Sequence, residues 1–231
     1  MRPAPGGDLV VVGAGGFGRE TVEAIRAMNA AGASWRLLGY LDDNPKLWGT
    51  RIDGVPVVGG LHELQRLPGA SVVVCTGRPD NYLSRPRIVE MLGLPAERYA
   101  TIVHPAAVTS ASSQIGPGSV LLACSVLTAS VRIGAHVAVM PHVTLTHDDV
   151  VEDFATLASG VRLGGGVHVG QGAYVGAGAL IRENRSVGSR ALIGMGAVVV
   201  SDIPAGEIWV GVPARYLRNI KDPSEHQVET C

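Results

Sequence analysis

Residues 157–199 read LASGVRLGGGVHVGQGAYVGAGALIRENRSVGSRALIGMGAVV. An aliphatic residue stands at every sixth position: Leu157, Leu163, Val169, Val175, Ile181, Val187, Ile193 and Val199. The phase runs back without a slip through Val151, Leu145, Val139, Ile133, Leu127 and Leu121 to Ile115, giving fifteen consecutive hexads led by Leu, Ile or Val. Glycine follows at Gly116, Gly134, Gly164, Gly170, Gly176, Gly188 and Gly194. Four places after each aliphatic the residue is usually small or β-branched, as at Ser119, Val137, Ala155, Ala173 and Ala197. A period of six belongs neither to a helix nor to a simple strand; it is the hexapeptide signature of a parallel β-helix. Each hexad supplies one short strand and one corner. The aliphatic points inward, the small residue fits the narrow space near the corner, and glycine is expected to let the backbone turn there. Three hexads close a triangular coil, and coils stack at about 4.8 Å, the ordinary strand spacing. No coil buries its aliphatics alone, so stability comes from stacking. The unbroken phase leaves no inserted loop between Ile115 and Val199, so any catalytic group there must project from the coils themselves.

The chain ahead of the repeat has a different rhythm. Leu9-Val10-Val11-Val12 reads as a buried strand ending in Gly13-Ala14-Gly15-Gly16-Phe17-Gly18. A helix should follow over 19–30, with Val22, Ile25 and Met28 on one face. Leu37–Leu41 looks like a second strand, closed by the turn Asp42-Asp43-Asn44-Pro45. A short strand at Val55–Val58, a short helix at His62–Leu67, a buried strand at Ser71–Cys75 and a helix at Arg85–Leu92 complete a parallel α/β pattern. Thr101-Ile102-Val103-His104-Pro105 reads as the connector. The expected organisation is a Rossmann-like half domain over 1–104, a β-helix over 105–220 and a flexible polar tail over 221–231. Val210-Gly211-Val212-Pro213-Ala214-Arg215 leaves the hexad phase, and a short helix is expected after it.

Composition bounds the function. In 231 residues, 46% are hydrophobic and the net charge is −1, with no basic stripe to bind nucleic acid. Cys75, Cys124 and Cys231 are scattered without metal-type spacing and read as reduced thiols. The N-terminus lacks an apolar signal core, and no run of eighteen apolar residues suggests a membrane span. A cytoplasmic protein is the expectation.

Gly13-x-Gly15-x-x-Gly18 follows a strand and opens a helix, the context a nucleotide-phosphate loop requires. Its backbone N–H groups and the helix N-terminus favour negative charge. Asp42 and Asp43 stand after the second strand, where an acid can accept from ribose or base. NAD is the first thought, but about 100 residues fit one mononucleotide half better than the paired halves of a dinucleotide fold, and a nucleotide diphosphate sugar suits a single half. Among seven histidines, His147 stands out because His147-Asp148-Asp149 interrupts the small-residue pattern: Asp149 holds a place where charge is costly without a partner. His147 beside carboxylates is a sensible general base, since imidazole titrates near neutrality and a carboxylate can orient it. Structural roles suit His62, His104 and His226. A zinc reading competes, because His142-x4-His147 has the ligand spacing of gamma-class carbonic anhydrases, with a third ligand needed from His104 or His136.

From about residue 9 to 218 the chain resembles the bacterial sialic acid O-acetyltransferases and nucleotide-amino-sugar N-acetyltransferases. The shared marks are Val-Val-Gly-Ala-Gly-Gly-Phe-Gly at 11–18, Leu41-Asp42-Asp43, the in-phase hexads, Thr146-His147-Asp148 and Gly211-Val212-Pro213-Ala214-Arg215. The resemblance implies a left-handed β-helix, a homotrimer with sites between subunits, and acetyl-CoA or another acyl-CoA as co-substrate, without a metal. It places the catalytic base on His147 and its acidic partner on Asp148, one methylene shorter than the usual Glu. The implied acceptor set is Gly13, Gly15, Gly16, Phe17, Asp42, Asp43, Gly77 and Arg78, with Phe17 where the amino-sugar branch often has His. The implied donor set is Thr156, Gly165, Ala177, Met195, Gly211 and Pro213, with Thr156 where some members carry a second His and Gly165 the expected oxyanion donor. The implied activity is acyl transfer to an amino or hydroxyl group of a nucleotide-linked sugar, N-acetylation slightly preferred. The alternatives are a carbonic-anhydrase-like hydratase and a non-catalytic nucleotide-sugar binder.

Overall fold

A computed structural model describes residues 6–220; the expected tail at 221–231 lies outside them. The N-terminal unit runs β1 (Gly6–Val12), α1 (Gly16–Ala30), β2 (Ser34–Leu41), β3 (Arg51–Ile52), β4 (Val55–Gly59), β5 (Ser71–Val74) and α2 (Ser84–Leu92). Its sheet has the order β3-β4-β2-β1-β5. All pairings are parallel except β3 with β4. The central strand β1 is apolar because both its faces are covered: Leu9, Val10 and Val11 are fully buried. Helix α1 lays Val22, Ile25 and Met28 against it. This is one mononucleotide-type half.

The repeat forms three parallel sheets. The first face holds Ile102–Val103, Val120–Leu121, Ala138–Val139, Thr156–Leu157, Tyr174–Val175 and Leu192–Ile193. The second holds Val108–Thr109, Val126–Leu127, Thr144–Leu145, Arg162–Leu163, Leu180–Ile181 and Val198–Val199. The third holds Gln114–Ile115, Arg132–Ile133, Val150–Val151, His168–Val169 and Ser186–Val187. From Ile102 to Val199 successive rungs of a face stand eighteen residues apart, as Ala138 does from Thr156 and Val150 from His168. The second residue of each pair points inward, and the aliphatics from Leu121 to Val199 make one continuous core.

Three expectations change. The solenoid begins at the supposed connector, because Ile102–Val103 pairs with Val120–Leu121. Thr109 at the next inward position concealed that start. The segment after Arg215 is a strand, Arg215–Asn219, antiparallel to Glu207–Val210, which itself pairs with Leu192–Ile193. Its hydrogen bonds to that edge override any local helix preference. Glycine also works differently at the corners. From Gly118 to Gly196 the left-handed residue of the corner lies three places after the aliphatic, as at Gly166 (φ 69°) or Asp148 (φ 64°). The glycine directly after the aliphatic serves close approach between coils: a Cβ on Gly176 would lie 2.6 Å from the carbonyl oxygen of Ile193.

The N-terminal unit covers the first face. Val120, Leu122 and Met140 pack with α1 and β1. Arg85, only 1% exposed, donates from Nη2 to the carbonyl of Phe154 (3.0 Å) and to Thr156 Oγ1 (2.6 Å). Tyr82 donates to the carbonyl of Arg190 (2.8 Å). No described helix is long and apolar enough to cross a membrane.

Asp149 shows how the solenoid absorbs a charge. Its side chain has no exposure. One carboxylate oxygen accepts from Thr146 N–H and the other from Val167 N–H in the next coil, both at 2.8 Å. Ser119 makes the same kind of staple to Val137 N–H (2.9 Å). The corner around His147 is therefore regular and not an interruption. Desolvation outweighs the two N–H donors and pushes the Asp149 carboxyl up to about 6. An acid with a raised folded-state pKa favours folding in its protonated form, and this contribution fades as pH rises toward 6. Asp149→Asn stays neutral throughout and turns an N–H against one donor. Thermal unfolding of both proteins from pH 7 to pH 4 should show the wild-type advantage widening toward acid; a narrowing gap would mean the two N–H donors dominate the carboxylate instead.

Candidate active site

His147 and Asp148 form the corner between the second and third faces. Both side chains are exposed, His147 at 69%, and Nδ1 lies 2.9 Å from Asp148 Oδ2. The shorter Asp therefore reaches the ring. With Nδ1–H donating to the carboxylate, Nε2 carries the free lone pair. The corner conformation makes this contact: Asp148 takes the left-handed position, and its N–H donates to the carbonyl of Ala129 (3.0 Å).

Gly165 lies one coil beyond. A Cβ there would come 2.3 Å from Nε2 and 2.4 Å from Cε1 of His147. The ring thus occupies space that only a residue without a side chain leaves free. The Gly165 carbonyl accepts from Asn184 N–H (2.9 Å), and Gly166 N–H donates to the His147 carbonyl (2.9 Å). Among the described residues, Gly165 N–H meets no acceptor. An imidazole oriented by a carboxylate and a backbone N–H without an acceptor thus belong to neighbouring coils of one corner.

The glycine-rich loop has a different geometry. Gly13 (φ 98°) and Gly18 are held by the backbone: a Cβ on Gly18 would lie 1.9 Å from the Gly13 carbonyl oxygen. Gly15 and Gly16 are open, with nothing within 4 Å of a Cβ. Gly15 caps α1 without a side chain, and the first turn carries no acid. The N–H groups at this helix end are left for an anion. Asp42 is spent within the fold: Oδ2 accepts from Ala14 N–H (2.9 Å) and Oδ1 from Asn44 N–H (3.0 Å). Asp43 is exposed. Gly77 is half-buried beyond β5, near the switch point of the sheet order, and Arg78 is exposed and paired with Asp80 (3.1 Å).

These groups do not meet within one chain. The loop lies with the first face, and His147 projects from the corner opposite that face. The donor set also divides. Gly165 shares the His147 corner, whereas Ala177 and Met195 lie at the corner between the first and second faces. Gly211 is near them, its carbonyl accepting from Val198 N–H (3.0 Å), with Pro213 in the same turn. Thr156 is buried, its hydroxyl taken by Arg85, which removes it from any open donor groove. His142 and His147 occupy different corners, and no group of three metal-ligating side chains converges among the described residues. His104 Nδ1 accepts from Ala106 N–H (3.0 Å), a turn cap.

Arg85 carried no role in the sequence reading, and His136 entered it only as an alternative third zinc ligand. The Phe17 ring centroid lies 6.0 Å from the Arg85 guanidinium carbon, so Phe17 and Thr156 converge on Arg85. Burial pushes Arg85 down to about 10. His136, 5% exposed, stacks on Phe154 at 5.1 Å and meets the edge of Tyr99, and burial lowers it to about 4. It is a neutral packing group of the domain junction. Only long-range packing makes these two residues distinctive, so no local motif marks them.

Residues 8–92 match the model of the PglD N-terminal domain family. The chain superposes on the acetyltransferase domain of PglB from Neisseria gonorrhoeae with a TM-score of 0.79 and 30% identity, covering 91% of this chain and 99% of that one. It superposes on a mutant perosamine N-acetyltransferase from Caulobacter crescentus, in complex with CoA and GDP-perosamine, with a TM-score of 0.81 and 28% identity, covering 92% and 98%. UDP-N-acetylbacillosamine N-acetyltransferase of Bacillus subtilis is 33% identical over 50% of this chain and 51% of its own length. The chain thus spans about half the length of the curated relatives it matches. The solenoid has the left-handed β-helix fold of the matched acetyltransferase structures.

Gly165→Ala tests the fit around His147. The colliding group is the tip of an exposed side chain, so the unfolding midpoint should stay near wild type. The imidazole should swing off Asp148, and its Nδ1 resonance should lose the signature of a hydrogen-bonded N–H. An unchanged resonance would show that Gly165 does not set the ring position.

Proposed function

Because this chain belongs to the family of bacterial sialic acid O-acetyltransferases and nucleotide-amino-sugar N-acetyltransferases, we propose that it transfers an acetyl group from acetyl-CoA to an amino group of a nucleotide-linked sugar. The carrying observation is the exposed His147–Asp148 pair with the free N–H of Gly165 beside it. The amine nitrogen attacks the thioester carbonyl carbon. As the C–N bond forms, His147 Nε2 takes the departing proton. The carbonyl oxygen becomes an oxyanion, and Gly165 N–H donates to it. Collapse breaks the C–S bond, and the proton on His147 passes to the CoA thiolate. Asp148 orients the ring and stabilises the imidazolium. The thioester is already activated, so no enzyme nucleophile is needed.

The acceptor diphosphate sits at the Gly15–Phe17 helix end, with Asp43 toward the ribose. Asp42 acts through the loop it fastens. Since loop and base stand on opposite sides of one chain, the working site is formed between copies, in a homotrimer. The His147 corner of one solenoid then faces the corner of the next that carries Ala177 and Met195, and acetyl-CoA lies in that groove. Exposed Val108 and Leu180 on the second face suit such packing. The matched perosamine N-acetyltransferase complex, which holds CoA and GDP-perosamine together, supports both ligand classes. An acyl-CoA donor suits a cytoplasmic setting.

The test begins with a thermal-shift screen of UDP-, GDP- and dTDP-amino sugars and acyl-CoAs, followed by thiol release on the hits. His147→Ala should lower turnover by about 100-fold or more, the range for a general base, with the fold intact by circular dichroism. Near wild-type turnover would remove His147 from the chemistry. Tight nucleotide-sugar binding without any CoA binding would make the protein a binder instead.

A further inference from the structure

The turn after β2 holds an aromatic ring that the proposed reaction does not use. Trp48 is 43% exposed, high for so large an apolar side chain. Its orientation is nonetheless fixed. Indole Nε1 donates to the carbonyl of Asp42 at 2.7 Å. The ring of His62 meets it edge-on, with centroids 5.6 Å apart at 65°. Gly60 leaves room for both rings, since a Cβ there would lie 3.1 Å from Trp48 Cζ2 and 3.1 Å from His62 Nδ1. The turn beneath is braced, because Asn44 Oδ1 accepts from Lys46 N–H (3.1 Å).

Asp42 ties this ring to the glycine-rich loop. Its carboxylate holds Ala14 N–H at 2.9 Å while its carbonyl holds the indole. The loop after β1 and the ring after β2 are thereby set in one frame, with exposed Asp43 between Asp42 and the ring-bearing turn in sequence. In a β-α-β half domain the phosphate lies at the loop, the acid after the second strand meets the ribose, and the base lies further along that side. A rigid ring with a solvent-open surface at that end is a stacking platform. Stacking uses the π-face every base possesses, so it supplies affinity without selecting among bases.

We propose that Trp48 is the surface on which the nucleobase of the acceptor stacks. The assignment rests on the nucleotide-sugar reading above. UDP, GDP and dTDP serve as probes, titrated by calorimetry into the full chain and into Trp48→Ala and Trp48→Phe. Trp48→Ala should weaken each nucleotide by about 5- to 150-fold, the span for loss of one stacked base. Trp48→Phe should keep most of the affinity. Binding should also change the tryptophan fluorescence of the wild type, and this change should vanish in Trp48→Phe. The KM for the nucleotide sugar should rise in Trp48→Ala while the KM for acetyl-CoA does not move. Unchanged nucleotide affinity in Trp48→Ala would overturn the stacking role and leave the nucleotide-sugar reading standing. Failure of every nucleotide to bind the wild type would overturn both.

Discussion

The stacking of one coil on the next is the constraint on which the rest of this structure depends. Residues eighteen apart pair as rungs, so each corner side chain looks onto a single residue of the following coil. The core follows from this register, because an inward aliphatic always lies over another. So does the chemistry: the His147 ring needs Gly165 in the next coil, and Asp149 needs the Val167 N–H there. A slip of one residue would turn every inward side chain outward. The phase that makes the core therefore also sets the His147 ring against Gly165.

Much of this was legible in the chain. The six-residue period carried the solenoid, its three faces and its lack of inserted loops. The order strand, glycine loop, helix, strand, acid carried the half domain. Asp149 drew attention to the His147 corner for a reason the structure corrects. It is unusual because it is buried and charged, yet it staples two coils and keeps the corner regular. Local patterns could not show which acid after β2 was already occupied. Asp42 is held by a contact to Ala14, twenty-eight positions away in sequence. Nor could they show Arg85, which is buried where the N-terminal unit meets the solenoid.

The division of the site follows from the same geometry. The N-terminal unit covers the first face through Val120, Leu122 and Met140, and a triangular coil puts the corner of His147 on the far side. On the proposed function, the glycine-rich loop and His147 of a single chain stand too far around the coil to serve one acceptor molecule. The proposed trimer would bring a second chain alongside and cover the exposed apolar residues of the second face, Val108 and Leu180. Arg85 fits the same logic. It ties the N-terminal unit to its own solenoid.

Mixed oligomers test this central claim most directly. Gly15→Asp places a carboxylate where the acceptor diphosphate would lie, at a position with nothing within 4 Å of a Cβ, and Asp suits a helix N-cap. His147→Ala removes the base. Each protein alone should be inactive. Co-assembled in equal amounts, they should recover about a quarter of wild-type turnover, because random pairing in a symmetric ring joins an intact loop to an intact base at about one interface in four. If the co-assembled protein stays inactive, loop and base must act within one chain, and the account of the shared site is wrong.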